Sequence, residues 1–212
     1  MPSSEPGPGD GSGGDRRRRD TRRRLLAAAA ERFAEKGYAA TSVAEIEEAV
    51  GLRPGAGGLY RHFASKEALL VAVVEGYRDR LSLVRQTLAA LPADDAVATQ
   101  LERVCLALVA FLADERAVVR IGAELAALPT TARLVIGQAW DEAHGAFADV
   151  FERAGVAPAR AAALGVAALG ELAHYLEHAR TFGTPPLEVP LGAFLASWQS
   201  RWARVVEEET TL

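Results

Sequence analysis

The sequence of 212 residues is poor in sulfur and in aromatic side chains: one cysteine, one methionine, and Phe, Tyr and Trp at 7%. A lone Cys105 cannot close a disulfide within the chain, which suits a reducing compartment, and a cytoplasmic location is expected. Long apolar runs are missing too. None reaches the ~20 residues that a membrane span needs, so a helical integral membrane protein is excluded and no membrane partner is expected. The opening MPSSEPGPGDGSGG has no apolar stretch and is not expected to be a secretory signal. Convincing period-2 alternation is absent throughout, so the chain reads as all-α.

Charge is present but unevenly placed. The net value is −4. Residues 15–66 carry 12 Lys+Arg against 7 Asp+Glu, and residues 67–212 carry 12 against 19, so a basic front precedes an acidic back. That asymmetry points to a polyanion-binding head on a different body. Residues 1–17 are expected to be a disordered tail, whose Arg run could serve as a mobile arm adding phosphate contacts.

The periodicity predicts a helix from about residue 20, with Leu25, Leu26, Ala29, Ala30 and Phe33 on one face and a stop at Gly37. Ser42 and Glu45 have capping-box spacing at the start of a second, two-turn helix with Val43, Ile46 and Val50 on its apolar stripe. A glycine-rich bend, Arg53-Pro-Gly-Ala-Gly-Gly58, leads into a third short helix around Leu59, Tyr60 and Phe63. Ser65 caps a long fourth helix. Five more helices follow, near 95–113, 115–128, 131–154, 158–180 and 190–208, giving about nine in all. The bend does not fit a nucleotide-binding loop, because no strand precedes it and no Walker Lys-Ser/Thr follows.

Two short helices around a tight bend describe a helix-turn-helix, whose second helix can enter the DNA major groove. The residues make the resemblance specific. Phe33-Ala-Glu-Lys-Gly-Tyr38, Thr41-Ser-Val43, Gly58-Leu-Tyr-Arg-His-Phe63 and Ser65-Lys-Glu67 together resemble the N-terminal domain of TetR/AcrR-type transcriptional regulators, over about residues 22–75. The resemblance implies an N-terminal three-helix DNA-binding domain over 18–76 and a helical ligand-binding and dimerisation domain over 77–212. It implies no enzyme and no cofactor, but a repressor that binds palindromic operator DNA as a homodimer and is released by a small-molecule effector. By its motif positions, Tyr60, His62 and Lys66 fall where phosphates are contacted, and Thr41 and Ser42 where the second helix meets the DNA backbone. The positions that read bases fall in the bend, at Ala56, Gly57 and Gly58.

One departure stands out. The family runs from the bend glycine to the Leu-Tyr pair in six steps, whereas Gly51 to Leu59 takes eight. Gly57 and Gly58 offer close backbone approach but no side-chain readout, so specificity is expected to fall on Arg53, Arg61 and DNA shape, and the recognition helix is expected to be shorter or to start later than in relatives.

In the body, Tyr77, Cys105, Trp140, His144, Glu171 and His174 are candidate effector-pocket residues, with ordinary core packing the competing reading. His174-Tyr-Leu-Glu177-His178 matches a zinc-peptidase spacing and raises a metal-dependent hydrolase or metal sensor as the alternative function. A third ligand is lacking from the motif, and no metal site is assigned. The last two helices are expected to pair with their symmetry mates. The first is rich in small residues, and the second carries Leu191, Phe194, Leu195, Trp198, Trp202 and Val205 on one stripe.

Overall fold

The computed structural model describes residues 11–92 and 95–211. Among them are eight α-helices, three short 3-10 turns and no strand. The helices are α1 (Gly11–Ala40), α2 (Val43–Ala49), α3 (Lys66–Ala89), α4 (Val97–Asp114), α5 (Arg116–Ala123), α6 (Thr130–Arg153), α7 (Pro158–Phe182) and α8 (Leu191–Thr210). The 3-10 turns are Leu59–Arg61, Leu125–Ala127 and Pro186–Glu188. The chain divides into two compact units. One comprises the residues up to Glu75 with Arg116–Arg133, and the other Gly76–Glu115 with Leu134–Leu212.

The first unit is built on α1, α2, the start of α3, and α5. Leu25, Ala29, Phe33, Ile46, Leu59, Leu69 and Leu70 are fully buried and form its core. Helix α1 starts earlier than the sequence suggests. Residues 1–10 of the expected disordered tail lie outside the described residues, and 11–17 are helical. Arg propagates a helix well, and the exposed pairs Asp15–Arg19 (2.8 Å) and Asp20–Arg23 (2.6 Å) have helical spacing. Gly37 interrupts the helix at φ 83°. A Cβ there would lie 2.0 Å from Glu124 Oε1, so both backbone and neighbour demand glycine. Segment 116–133, which the sequence reading gives to the body, belongs to this unit, and its expected single helix breaks after Ala123.

The second unit packs α4, α6, α7, α8 and the later part of α3. Its centre is aromatic. Phe147 meets Trp198 edge-on at 5.5 Å between centroids, Phe151 lies 5.8 Å from Trp202, and Tyr175 stacks on Phe194 at 4.3 Å. The tryptophan stripe of α8 therefore packs on α6 of its own chain, which corrects its assignment to a subunit interface. Val206, not Val205, completes the buried row. Helices α6 and α7 approach so closely at Gly165 that a Cβ would lie 2.7 Å from the His144 carbonyl oxygen. Arg85 of α3 ties to α6 through a bidentate pair with Asp149, both contacts 2.8 Å, and a further contact to Glu142. None of the helices among the described residues is long and apolar enough to cross a membrane.

Candidate nucleic-acid interface

The second helix of the expected motif is the short α2, and its start is locked. Ser42 Oγ accepts from the Glu45 backbone N–H while the Glu45 carboxylate accepts from the Ser42 N–H, a complete capping box. Lys36 also holds Glu45. Its carboxyl falls to about 2, chiefly through the Lys36 ammonium and then the Ser42 backbone and hydroxyl. Helix α2 ends at Gly51, which has φ 74°.

The recognition element departs most from expectation. In place of a third α-helix there is a bend over 52–58 and a single 3-10 turn, Leu59–Arg61, with Phe63 beyond it. Pro54 and the glycines account for the loss. Gly55 and Gly57 adopt φ of 74° and 75°, which a right-handed helix cannot include. Gly58 packs under Leu52, whose Cδ1 would lie 3.0 Å from an added Cβ.

A buried carboxylate holds this bend. Glu47 is 0% exposed, and its two oxygens accept from the backbone N–H groups of Gly55 (2.8 Å) and Leu59 (2.9 Å). The middle of the lengthened bend and the start of the 3-10 turn are thereby fixed to α2, and two backbone donors are satisfied. Sequence reasoning missed Glu47, although a signal exists. It lies four residues after Val43 and three before Val50, on the apolar face, where an acid implies buried donors.

Arg53, Tyr60 and Arg61 project outward. Tyr60 is 55% exposed, and neither arginine has an acidic partner among the described residues. Two guanidinium groups and a phenol on one rigid support can donate to phosphates and to base edges. Ser42 is exposed, and Gly57 and Gly58 are half-buried. His62 is half-buried, with Nδ1 buried and lacking a hydrogen-bond partner. Burial, followed by repulsion from Arg18, Arg22 and Arg61, lowers its pKa.

Two expected contacts are placed otherwise. Thr41 is 2% exposed, and its hydroxyl donates to the Gly37 carbonyl at 2.8 Å, so it closes the end of α1 and presents no surface. Lys66 donates to the Tyr38 carbonyl at 2.6 Å and lies 4.3 Å from the Tyr38 ring centroid, and burial lowers its pKa. It ties α3 to α1. Arg24, donating to the Val50 carbonyl at 2.7 Å, and Arg22, 4.7 Å over the Phe63 ring, fix α1 to the motif in the same way.

The body residues singled out from the sequence divide between core and surface. Tyr77 and Cys105 are buried, with Tyr77 5.1 Å from Phe111, and burial pushes both hydroxyl and thiol up to about 12. Trp140 is exposed beside His144, His174 is exposed, and Glu171 pairs with Arg201 and accepts from Trp202 Nε1. A cleft of about 10 Å³ in this unit is lined by Leu88, Leu91, Pro92, Gln100, Arg103, Val104 and Arg153, none of them on that roster. Glu177 of the zinc-like motif pairs with Arg180, and His178 Nδ1 lies 3.2 Å from the Thr184 carbonyl. No three His, Cys, Asp or Glu side chains gather as a metal site among the described residues.

Residues 25–73 match the family described as bacterial regulatory proteins, tetR family. The HTH-type transcriptional regulator YerO of Bacillus subtilis is 37% identical over 73 residues, 32% of this chain and 25% of that protein. The HTH-type transcriptional repressor KstR2 of Rhodococcus jostii is 43% identical over 53 residues, 25% of each chain. The chain thus spans about a quarter of the length of these relatives. The fold likeness extends further. A TetR-family regulator from Agrobacterium tumefaciens superimposes with a TM-score of 0.64 at 20% identity, covering 91% of this chain and 99% of its own. Residues 25–73 thus carry a match to the tetR family of bacterial regulatory proteins, and the chain shares its fold with solved TetR-family regulators.

Proposed function

We propose that the protein is a ligand-responsive transcriptional repressor that binds palindromic operator DNA as a homodimer and is released by a small molecule. The observation that carries this reading is the rigid presentation of Arg53, Tyr60 and Arg61, which lack acidic partners among the described residues, on a bend fastened to α2 by Glu47. Base selection falls on Arg53 and Arg61 and on DNA shape, and Tyr60, Ser42 and His62 meet the sugar-phosphate backbone. Lys66 joins them if its ammonium leaves the Tyr38 carbonyl on binding.

A single head offers few base contacts, and two heads about 34–36 Å apart read successive major-groove faces. The dimer surface we assign to the outward faces of α7 and α8. On α7, Ala162, Ala163, Val166, Ala167 and Gly170 are exposed, an apolar row of small side chains that permits close helix approach. Small-molecule release needs only that one conformation of the body bind the effector better than the DNA-competent one. Helix α3, which contributes residues to both units, is the natural carrier of such a change.

Sedimentation of the full chain, alone and on duplex, tests the assembly. The expected result is two chains in each case, with Val166→Arg giving a helical monomer that binds duplex more weakly. A monomer that occupies duplex one chain at a time contradicts the proposal.

A further inference from the structure

The face of α1 that builds the core of the head carries Leu25, Ala29 and Phe33, all fully buried. Toward the N-terminus the same helical stripe continues as Arg22, Thr21 and Arg18, with Arg17 beside them. This extension precedes the family match, which begins at residue 25. Of the arginines on its other sides, Arg19 pairs with Asp15, Arg23 with Asp20, and Arg24 donates to the Val50 carbonyl. Arg17 and Arg18 have no acidic partner among the described residues.

Arg17, Arg18, Thr21, Arg61 and His62 together line an open hollow of about 540 Å³. No acid is among these five. The Thr21 hydroxyl donates to the Arg17 carbonyl at 3.0 Å, so the donors left facing the hollow belong to the arginines and the imidazole. His62 adds a buried Nδ1 without a partner, and repulsion from Arg18, Arg22 and Arg61 lies behind part of its lowered pKa. Three guanidinium groups gathered with no counter-charge are unfavourable until an anion arrives, and planar forks suit phosphoryl oxygens bidentately.

We propose that Arg17 and Arg18 on the helical extension of α1 form, with Arg61 and His62 of the motif, a phosphate site that clamps a backbone phosphate of duplex DNA. The polymer rests on the DNA-binding reading above; the phosphate chemistry does not. An open hollow admits a phosphate that arrives as part of a chain, and Arg61 is shared with the base-reading turn, so the two contacts are continuous.

The test is an Arg17→Ala/Arg18→Ala double variant, two exposed helix positions whose loss leaves the core intact. In a salt titration of duplex binding, the variant is expected to weaken binding alike for selected and scrambled sequences and to lower the salt slope by about 1 per arginine. Duplex binding with an unchanged slope overturns the site and leaves the regulator reading standing. The His62 ring proton, followed by NMR and assigned with His62→Gln, supplies the second arm. Inorganic phosphate or duplex is expected to raise its pKa in the wild type and not in the double variant. If duplex fails to bind at all, the regulator reading falls. A phosphate-induced shift then keeps the site as one for free phosphate, and its absence overturns the site as well.

Discussion

A fully buried carboxylate is tolerated only when donors meet it, and Glu47 meets two backbone N–H groups that the lengthened bend would otherwise orphan. Glu47→Ala is expected to cost about 1–3 kcal/mol for the unsatisfied groups and to narrow the ratio between selected and scrambled duplex. Glu47→Gln, which keeps one acceptor oxygen, is expected to recover part of both. Equal discrimination in Glu47→Ala and wild type would show that the bend needs no such tether. Glu45 gives a pH prediction of defined sign. Its carboxyl lies at about 2 in the fold against 4.5 when free of the Lys36 and Ser42 contacts. The stability it adds is complete above about pH 4.5 and is lost as pH falls through about 2. Carboxyl NMR of Lys36→Met is expected to show Glu45 titrating at higher pH than in the wild type. An unmoved midpoint would remove Lys36 as the leading cause.

At the scale of elements, legibility followed how local the cause was. The capping box of α2, the stop at Gly37 and the stripe of α1 depend on neighbours within a few residues, and each was readable. The recognition helix was legible as shortened, but not as a single 3-10 turn. A bend of glycines and one proline signals a turn, but its tether to Glu47, eight and twelve residues away from the two partners, is not written in any local spacing. The tryptophans of α8 were legible as buried and misassigned in partner, because periodicity tells which side is covered and not by what. Gly165 shows the same limit, since a glycine inside a helix gains its meaning only from the His144 carbonyl opposite. Gly165→Ala is expected to force α6 and α7 apart and cost about 1–3 kcal/mol, read as a lower Tm in thermal unfolding. An unchanged Tm would mean that the two helices yield freely at this crossing.

For the whole molecule, the head was legible as a family because its signature is sequence-encoded, matching on 25–73. The body was legible only as helices. Its candidate pocket residues scatter between core and surface, because helical periodicity tells which side of a helix is covered and not what side chains from other helices meet it. The central claim is that a bend and one 3-10 turn, in place of a recognition helix, still read sequence. Selection of bound duplexes from a random pool by the full chain, followed by sequencing, tests it most directly. The account predicts an enriched palindrome with two half-sites about one helical turn apart, and only a few specified bases in each, at positions suited to arginine. Retention of the pool without enrichment, at any salt concentration, would contradict it.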